Sequence, residues 1–273
     1  KTIPYKHYLI DLPRALKDGF ALKVPGDHQK HLPDKEACDR AFYEYLKSTC
    51  VSEDVFKQEF LAQPLAANSL ITAEEYDKLA LWEVPETLDP EHTYNPLHVG
   101  IDVGRTKDLT CMWIFEEWEN PKATSEWERY DYKTVAKLEI RNETIPAQWE
   151  RIAPNLRHPS VSTIAIDMGT VGRSLADLVH DEFPFARLMS FTSPLKAKMA
   201  ERLKGFIQYQ RVSLPTDEAT RTDLLSLKRL VSPGGNIQYE GRTKDSHADR
   251  FWACCLALEA AVGQKGAQMV TRS

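Results

Sequence analysis

Two apolar segments of this chain end in the same way, and that repetition limits the folds open to it. Leu97–Val103 reads LHVGIDV and is followed by Gly104, while Ser162–Ile166 reads STIAI and is followed by Asp167, Met168 and Gly169. Short continuous apolar runs fit strands covered on both faces, and such a sheet needs helices on each side. Each run delivers a carboxylate, Asp102 or Asp167, to a strand end, which is where open α/β sheets bind ligands. The glycine two residues further on lets backbone or ligand come close. A strand-end Asp is also a frequent turn former, so either motif alone decides little. Together they decide more, because two unpaired carboxylates on neighbouring strands repel and need a cation or a shared proton to coexist.

The surrounding pattern predicts further strands at Thr110–Phe115, Thr134–Ile140 and Arg187–Phe191, and helices at Ile145–Leu156, Gly172–His180, Pro194–Tyr209, Thr220–Leu230 and Ala248–Val262. Three strands joined by short turns, then strand–helix alternation, describe a mixed α/β sheet with helices on its faces. Pro233-Gly234-Gly235-Asn236 reads as a hairpin turn. Before residue 96 the chain is polar and helix-leaning, with a strand expected at Tyr5–Leu12 and helices at Lys35–Thr49 and Glu53–Leu61. Pro85, Pro90 and Pro96 mark an expected linker over 82–96. The chain opens on Lys, and a fragment of a longer protein is expected.

A third acid lies at 245–253, D-S-H-A-D-R-F-W-A, where the last helix begins. Asp249 falls in its first turn, a position that suits a capping carboxylate as well as a ligand. Asp245 and His247 add ligand or proton-relay capacity beside it. Hard oxygen donors from two strand ends and a helix start suit Mg²⁺ or Mn²⁺ and not zinc. Such a cluster can hold two ions about 3.5–4 Å apart and support in-line phosphodiester cleavage.

Net charge sharpens this reading. The 273 residues carry 35 Lys+Arg and 40 Asp+Glu, a formal −5, which by itself counts against a nucleic-acid partner. Residues 187–250, however, hold 12 Lys+Arg against 7 Asp+Glu, a local +5. Lys196, Lys198, Arg202, Lys204, Arg242 and Lys244 are the phosphate-contact candidates within it. The alternative for each is a solvated helix face. The five cysteines form no CxxC pair, so neither a zinc site nor a disulfide framework is expected. No run approaches the roughly 18 apolar residues of a membrane helix.

Residues 97–262 resemble the RNase H-like nuclease domain of tailed-phage large terminases. The likeness rests on H-V-G-I-D-V-G-R-T-K-D-L-T, T-I-A-I-D-M-G and D-S-H-A-D-R-F-W-A-C-C-L-A. P-L-K-A-K-M-A-E-R-L-K matches the family's lysine-bearing helix, and V-S-P-G-G-N-I-Q-Y its late hairpin. V-F-K-Q-E-F-L-A-Q-P is similar to the segment preceding the nuclease domain, the Mu-like branch included. The resemblance implies an RNase H-like, mixed five-stranded sheet flanked by helices over 96–273, with 1–95 as connector and tail of an ATPase motor. It implies Asp102, Asp167 and Asp249 as catalytic, metal-binding acids, with Asp108 as a further candidate beside a turn-forming role. It also implies double-stranded DNA as substrate, Mg²⁺ or Mn²⁺ as cofactor, and the host cytoplasm as the compartment. The implied partners are the motor domain, the small terminase subunit and the portal. No GxxxxGK[ST] loop occurs in the chain, so ATP hydrolysis by that route is not expected here. The competing readings are an actin/sugar-kinase-type phosphotransferase, a DDE transposase or junction resolvase on the same fold, and a non-catalytic docking module.

Overall fold

The computed structural model describes residues 11–23, 34–49, 56, 60–61, 69–104, 109–125, 128–169, 173–231, 237–241 and 247–270. Two compact units make up the chain, residues 1–66 and 67–273.

In the first unit, α1 (Leu12–Lys17) and α2 (Lys35–Thr49) flank a short 3₁₀ turn at Ala21–Lys23. Asp11 caps α1, its carboxylate accepting from the Arg14 amide at 3.0 Å. Leu12, Leu16, Ala21, Cys38, Phe42 and Phe56 form the core. The strand expected at Tyr5–Leu12 fails at its described end, since Leu12 opens α1 and Pro13 is well placed in a first helical turn; residues 5–10 lie outside the described residues. Of the helix expected at Glu53–Leu61, the described Phe56 and Phe60 are helical.

In the second unit, Thr72 and Glu75 form a reciprocal capping box that starts α3 (Ala73–Leu79), which runs into β1 (Ala80–Trp82). There follow β2 (Leu97–Asp102), β3 (Thr110–Glu119), β4 (Tyr130–Ile140), α4 (Ile145–Leu156), β5 (Val161–Asp167), α5 (Arg173–Glu182) and β6 (Arg187–Met189). The chain closes with α6 (Ser193–Gln208), β7 (Val212–Pro215), α7 (Glu218–Ser226), the hairpin β8 (Lys228–Val231) and β9 (Ile237–Glu240), and α8 (Asp249–Val270).

The main sheet has the order β1-β7-β4-β3-β2-β5-β6. β3 is antiparallel to both β2 and β4, and the other pairings are parallel. It is a seven-stranded sheet, not the expected five. The additions, β1 and β7, are three and four residues long, too short to show alternation in sequence. The helix expected at Thr220–Leu230 ends at Ser226, because Leu227 turns extended and Lys228–Val231 pairs with β9.

The domain boundary expected at residue 95 also moves. The proline-marked segment packs on the sheet: the buried Leu88 donates its amide to Asn155 Oδ1 at 2.8 Å, and Pro85 O accepts from the Lys137 amide at 2.9 Å. α3 and β1 belong to the same unit, so the compact division falls near residue 66.

Alternation along the strands sorts two cores. Val99, Ile101, Met112, Ile114, Leu138, Ile164 and Ile166 point to the face covered by α4 and α5. Cys111, Trp113, Phe115 and Ala165 point to the opposite face, where α8 lies. α8 is set down on β2 at Gly100, where an added Cβ would stand 2.1 Å from Ala257 N and 2.3 Å from Ala253 O. Only glycine permits that approach.

Candidate active site

Strand register assembles the site. Glu139 on β4 pairs with Cys111 on β3, and Cys111 with Asp102 on β2. Ile101 pairs with Ile166 on β5, so Asp102 and Asp167 are adjacent one step further along, and Asp167 pairs with Met189 on β6. Residues in one such row share a face. Glu139, Cys111, Asp102 and Asp167 therefore all face α8. Asp249 is that helix's first residue, following Ala248 at φ 63°.

Asp102 and Asp249 are each 8% exposed, and Asp167 is half-buried. Burial pushes the Asp102 carboxyl well above its ordinary range; the charges of Asp249 and Asp167 push it further, and Lys196 opposes them. Burial also raises Asp167, against the pull of the Gly169 amide, which donates to Asp167 Oδ1 at 3.1 Å, and of Lys196. Asp249 Oδ2 accepts from the His247 amide at 3.3 Å. Lys196 Nζ lies 5.0 Å from the Phe191 ring centroid and 4.6 Å from that of Trp252.

Among the described residues, no group of three or more His, Cys, Asp or Glu side chains stands close enough together to hold a metal ion as it is. The donor set nevertheless fits a hard divalent ion. It is all carboxylate oxygen, and a cation would offset both the burial and the neighbouring charges of Asp249 and Asp167 that raise Asp102. Asp102, Asp167 and Asp249 are the candidates that could hold it. His247 is exposed. Asp108 and Asp245 lie outside the described residues.

Two of the phosphate-contact candidates are corrected. Lys204 is 3% exposed and donates to both Glu75 oxygens at 2.8 and 2.7 Å, so it anchors α3 and does not face solvent. Arg202 bonds to Glu259, a residue 4% exposed on α8 that also receives Arg187. Lys196 and Lys198 keep positions open to a polyanion, Lys196 being partly exposed and Lys198 exposed. Arg242 and Lys244 lie outside the described residues.

Sequence reading missed Asp223, Glu139 and Arg250. Arg250 is 6% exposed and bonds to both acids, and Asp223, 0% exposed, acts on Asp102 electrostatically. In the sequence Arg250 belongs to a basic stretch and Glu139 to the polar side of an alternating strand; no local signal marks either as buried.

A mixed sheet of this order, with carboxylates ending β2 and β5 and a third on the helix laid across them, is an RNase H-like domain. The family model for the terminase RNaseH-like domain matches residues 99–261, and the chain belongs to that family. Three solved structures illustrate the likeness of fold. The large terminase nuclease from thermophilic phage G20c with bound magnesium superposes with TM-score 0.54 at 16% identity, over 70% of this chain and 97% of that one. The Thermus phage P74-26 large terminase nuclease domain gives 0.55 at 15% identity, over 70% and 95%. A large terminase from another thermophilic bacteriophage gives 0.54 at 11% identity, over 80% of this chain and 51% of that one, so this chain spans about half its length. No curated protein matches.

Proposed function

We propose that this chain is the endonuclease module of a phage DNA-packaging terminase, cutting concatemeric double-stranded DNA by metal-dependent phosphodiester hydrolysis. The observation that carries the reading is the placement of Asp102 and Asp167 in one row at the ends of neighbouring parallel strands, with Asp249 opening the helix above them. Family membership supports it. So does the G20c terminase nuclease of the same fold, solved with bound magnesium and with bound cobalt.

Two Mg²⁺ or Mn²⁺ ions at the three acids would supply Lewis acidity and a water acidified toward neutrality. The chain's own part is positioning. β2 holds Asp102 below the surface, the Gly169 amide donates to Asp167, and the His247 amide donates to Asp249. Lys196, braced by Phe191 and Trp252, sets a positive charge beside the acids, where a phosphate would sit. Lys198, two residues along α6, extends that charge outward. Lysine-to-phosphate contacts orient a duplex without reading its bases, so little sequence preference is expected. Cut position then depends on partners, for which the motor domain, small terminase subunit and portal are the candidates, acting in the host cytoplasm. The first unit is the connector toward the motor.

The test is cleavage of supercoiled and linear plasmid with Mn²⁺ or Mg²⁺. Asp102→Asn, Asp167→Asn and Asp249→Asn should each lose cleavage by at least about a hundredfold while melting cooperatively. Full activity in any one removes that residue from the site. An inert wild-type protein on both substrates rejects the nuclease, and strand joining or a preference for branched junctions moves the reading to a transposase or a resolvase.

A further inference from the structure

Asp249 stands at a helix start that the local sequence marks but does not hold in place. Ala248, just before it, has φ 63°, a region that residues with a side chain seldom occupy unless their surroundings hold them there. Arg250, the residue after Asp249, carries contacts that tie this start to the rest of the fold. Its main-chain amide and its Nη1 both donate to Asp223 Oδ2, at 3.3 and 3.1 Å, and its Nε donates to Glu139 Oε1 at 2.7 Å. Glu139 accepts in turn from Lys137 Nζ at 2.6 Å, and Lys137 also reaches Asp217 at 3.0 Å and Thr220 Oγ1 at 2.6 Å. The first turn of α8 is thus tied by charge to β4 and to α7.

Ion pairs this deep are a poor source of stability compared with apolar packing, and fixing one geometry is their better-attested use. A guanidinium fork fixes angle as well as distance, which an ammonium does not. Glu139 also lies in the cross-strand row of Asp102. One rung of the sheet therefore carries both a candidate ligand and the anchor of the helix that delivers another.

We infer that the Glu139–Arg250–Asp223 clamp is a positioning device that sets Asp249 against Asp102 and Asp167. The inference rests on the nuclease reading for the role of the three acids. No clamp residue needs to touch an ion or DNA; loosening the clamp displaces Asp249 and weakens capture of the divalent ion.

Glu139→Gln and Arg250→Lys test this in the full chain, with Glu75→Gln as the control that breaks a different partly buried ion pair, to Lys204. Calorimetric titration with Mn²⁺ should show the dissociation constant rising at least about tenfold in both clamp variants, the size of effect that outer-shell partners commonly have. Amide exchange should accelerate at residues 249–252 and stay slow at 256–260. Glu75→Gln should lower the melting temperature and change neither reading. Wild-type Mn²⁺ affinity with unchanged exchange in the clamp variants overturns the inference, and so does an equal effect of Glu75→Gln. If the wild-type protein binds no Mn²⁺, the nuclease reading falls and the exchange arm decides the clamp alone: faster exchange at 249–252 supports it, unchanged exchange rejects it.

Discussion

Gly100→Ala adds a single methyl group at the point where α8 meets the sheet, and the structure sets its effect. The new Cβ would lie 2.1 Å from Ala257 N, 2.3 Å from Ala253 O and 2.7 Å from Leu256 C, all backbone atoms of one helix. Ordinary contact begins near 3.4 Å, so α8 must lift by about 1.3 Å. No side-chain rotation relieves the clash. Overpacking of this kind typically costs about 1–3 kcal/mol, and rigid backbone on both sides favours the upper end. For a domain of this size about 3 kcal/mol corresponds to a melting temperature lower by about 6–12 °C. The lift carries Asp249 away from Asp102, and a displacement of about 1 Å at a reacting centre can cost about a hundredfold in rate. The assay is a thermal melt beside Mn²⁺-dependent plasmid cleavage. A Gly100→Ala protein that melts within 2 °C of wild type (well under the about 6 °C expected) and cuts at full rate would refute the close-packing argument and the dependence of the site on helix position.

Three further outcomes are expected. Burial raises the carboxyls of Glu75, Glu139 and Asp217, but Lys204 with Thr72, Arg250 with Lys137, and Lys137 with Thr220 outweigh it and hold them below their ordinary range. Their contribution is therefore present above about pH 4 and lost as pH falls through the lower folded values. Asp102 and Asp167 are shifted upward, so they make the metal-free protein less stable as pH rises above about 4. Chemical denaturation across pH 3–8 (a span chosen to bracket carboxylate titration near 4) should show an acid fall below a weakly acidic maximum, with Mn²⁺ removing the decline on the neutral side; a metal-free curve flat from pH 4 upward contradicts the second assignment. Lys204→Ala should cost about 1–3 kcal/mol, discounted from a fully buried pair because Glu75 is partly exposed, with DNA affinity unchanged in a salt titration; a clear loss of DNA affinity at wild-type stability would return Lys204 to the DNA surface. Lys196→Ala combined with Lys198→Ala should reduce the slope of log affinity against log salt by about 2, and an unchanged slope rejects both contacts.

Asp102 and Asp167 were legible because each closes a continuous apolar run, and the strand that such a run forms fixes where its last residue points. Asp249 was legible because a helix start is a local signal. α6 shows where local signals end. Its lysines and arginines look like a solvated stripe, yet Glu201, Leu203 and Lys204 are buried on it. Lys204 is buried because Glu75, 129 residues away in sequence, folds onto it, and neither residue's neighbours announce the pairing. β1 and β7 escaped for a related reason. Three or four residues hold too few alternations to form a pattern, and they become strands by docking beside β4, where Tyr132 pairs with Val212. Arg250 is the sharpest case. It stands next to a candidate ligand in a basic stretch, and its partners come from β4 and α7.

These pairings change what the local +5 of residues 187–250 means. Arg187 and Arg202 are held by Glu259, Lys204 by Glu75, Arg211 by Asp131, Arg221 by Asp77, and Arg250 by Glu139 and Asp223. Half of the 12 cations in the stretch thus have carboxylate partners within the fold. A guanidinium already paired and partly dehydrated gains little from a phosphate, and to move to one it would have to leave a carboxylate behind. The charge excess that marked the stretch as a nucleic-acid surface is therefore in large part structural, holding α6, α7 and α8 in place. If all 12 cations met phosphates, the salt slope would approach about −11; with these six withheld, this stretch supports no more than about −5.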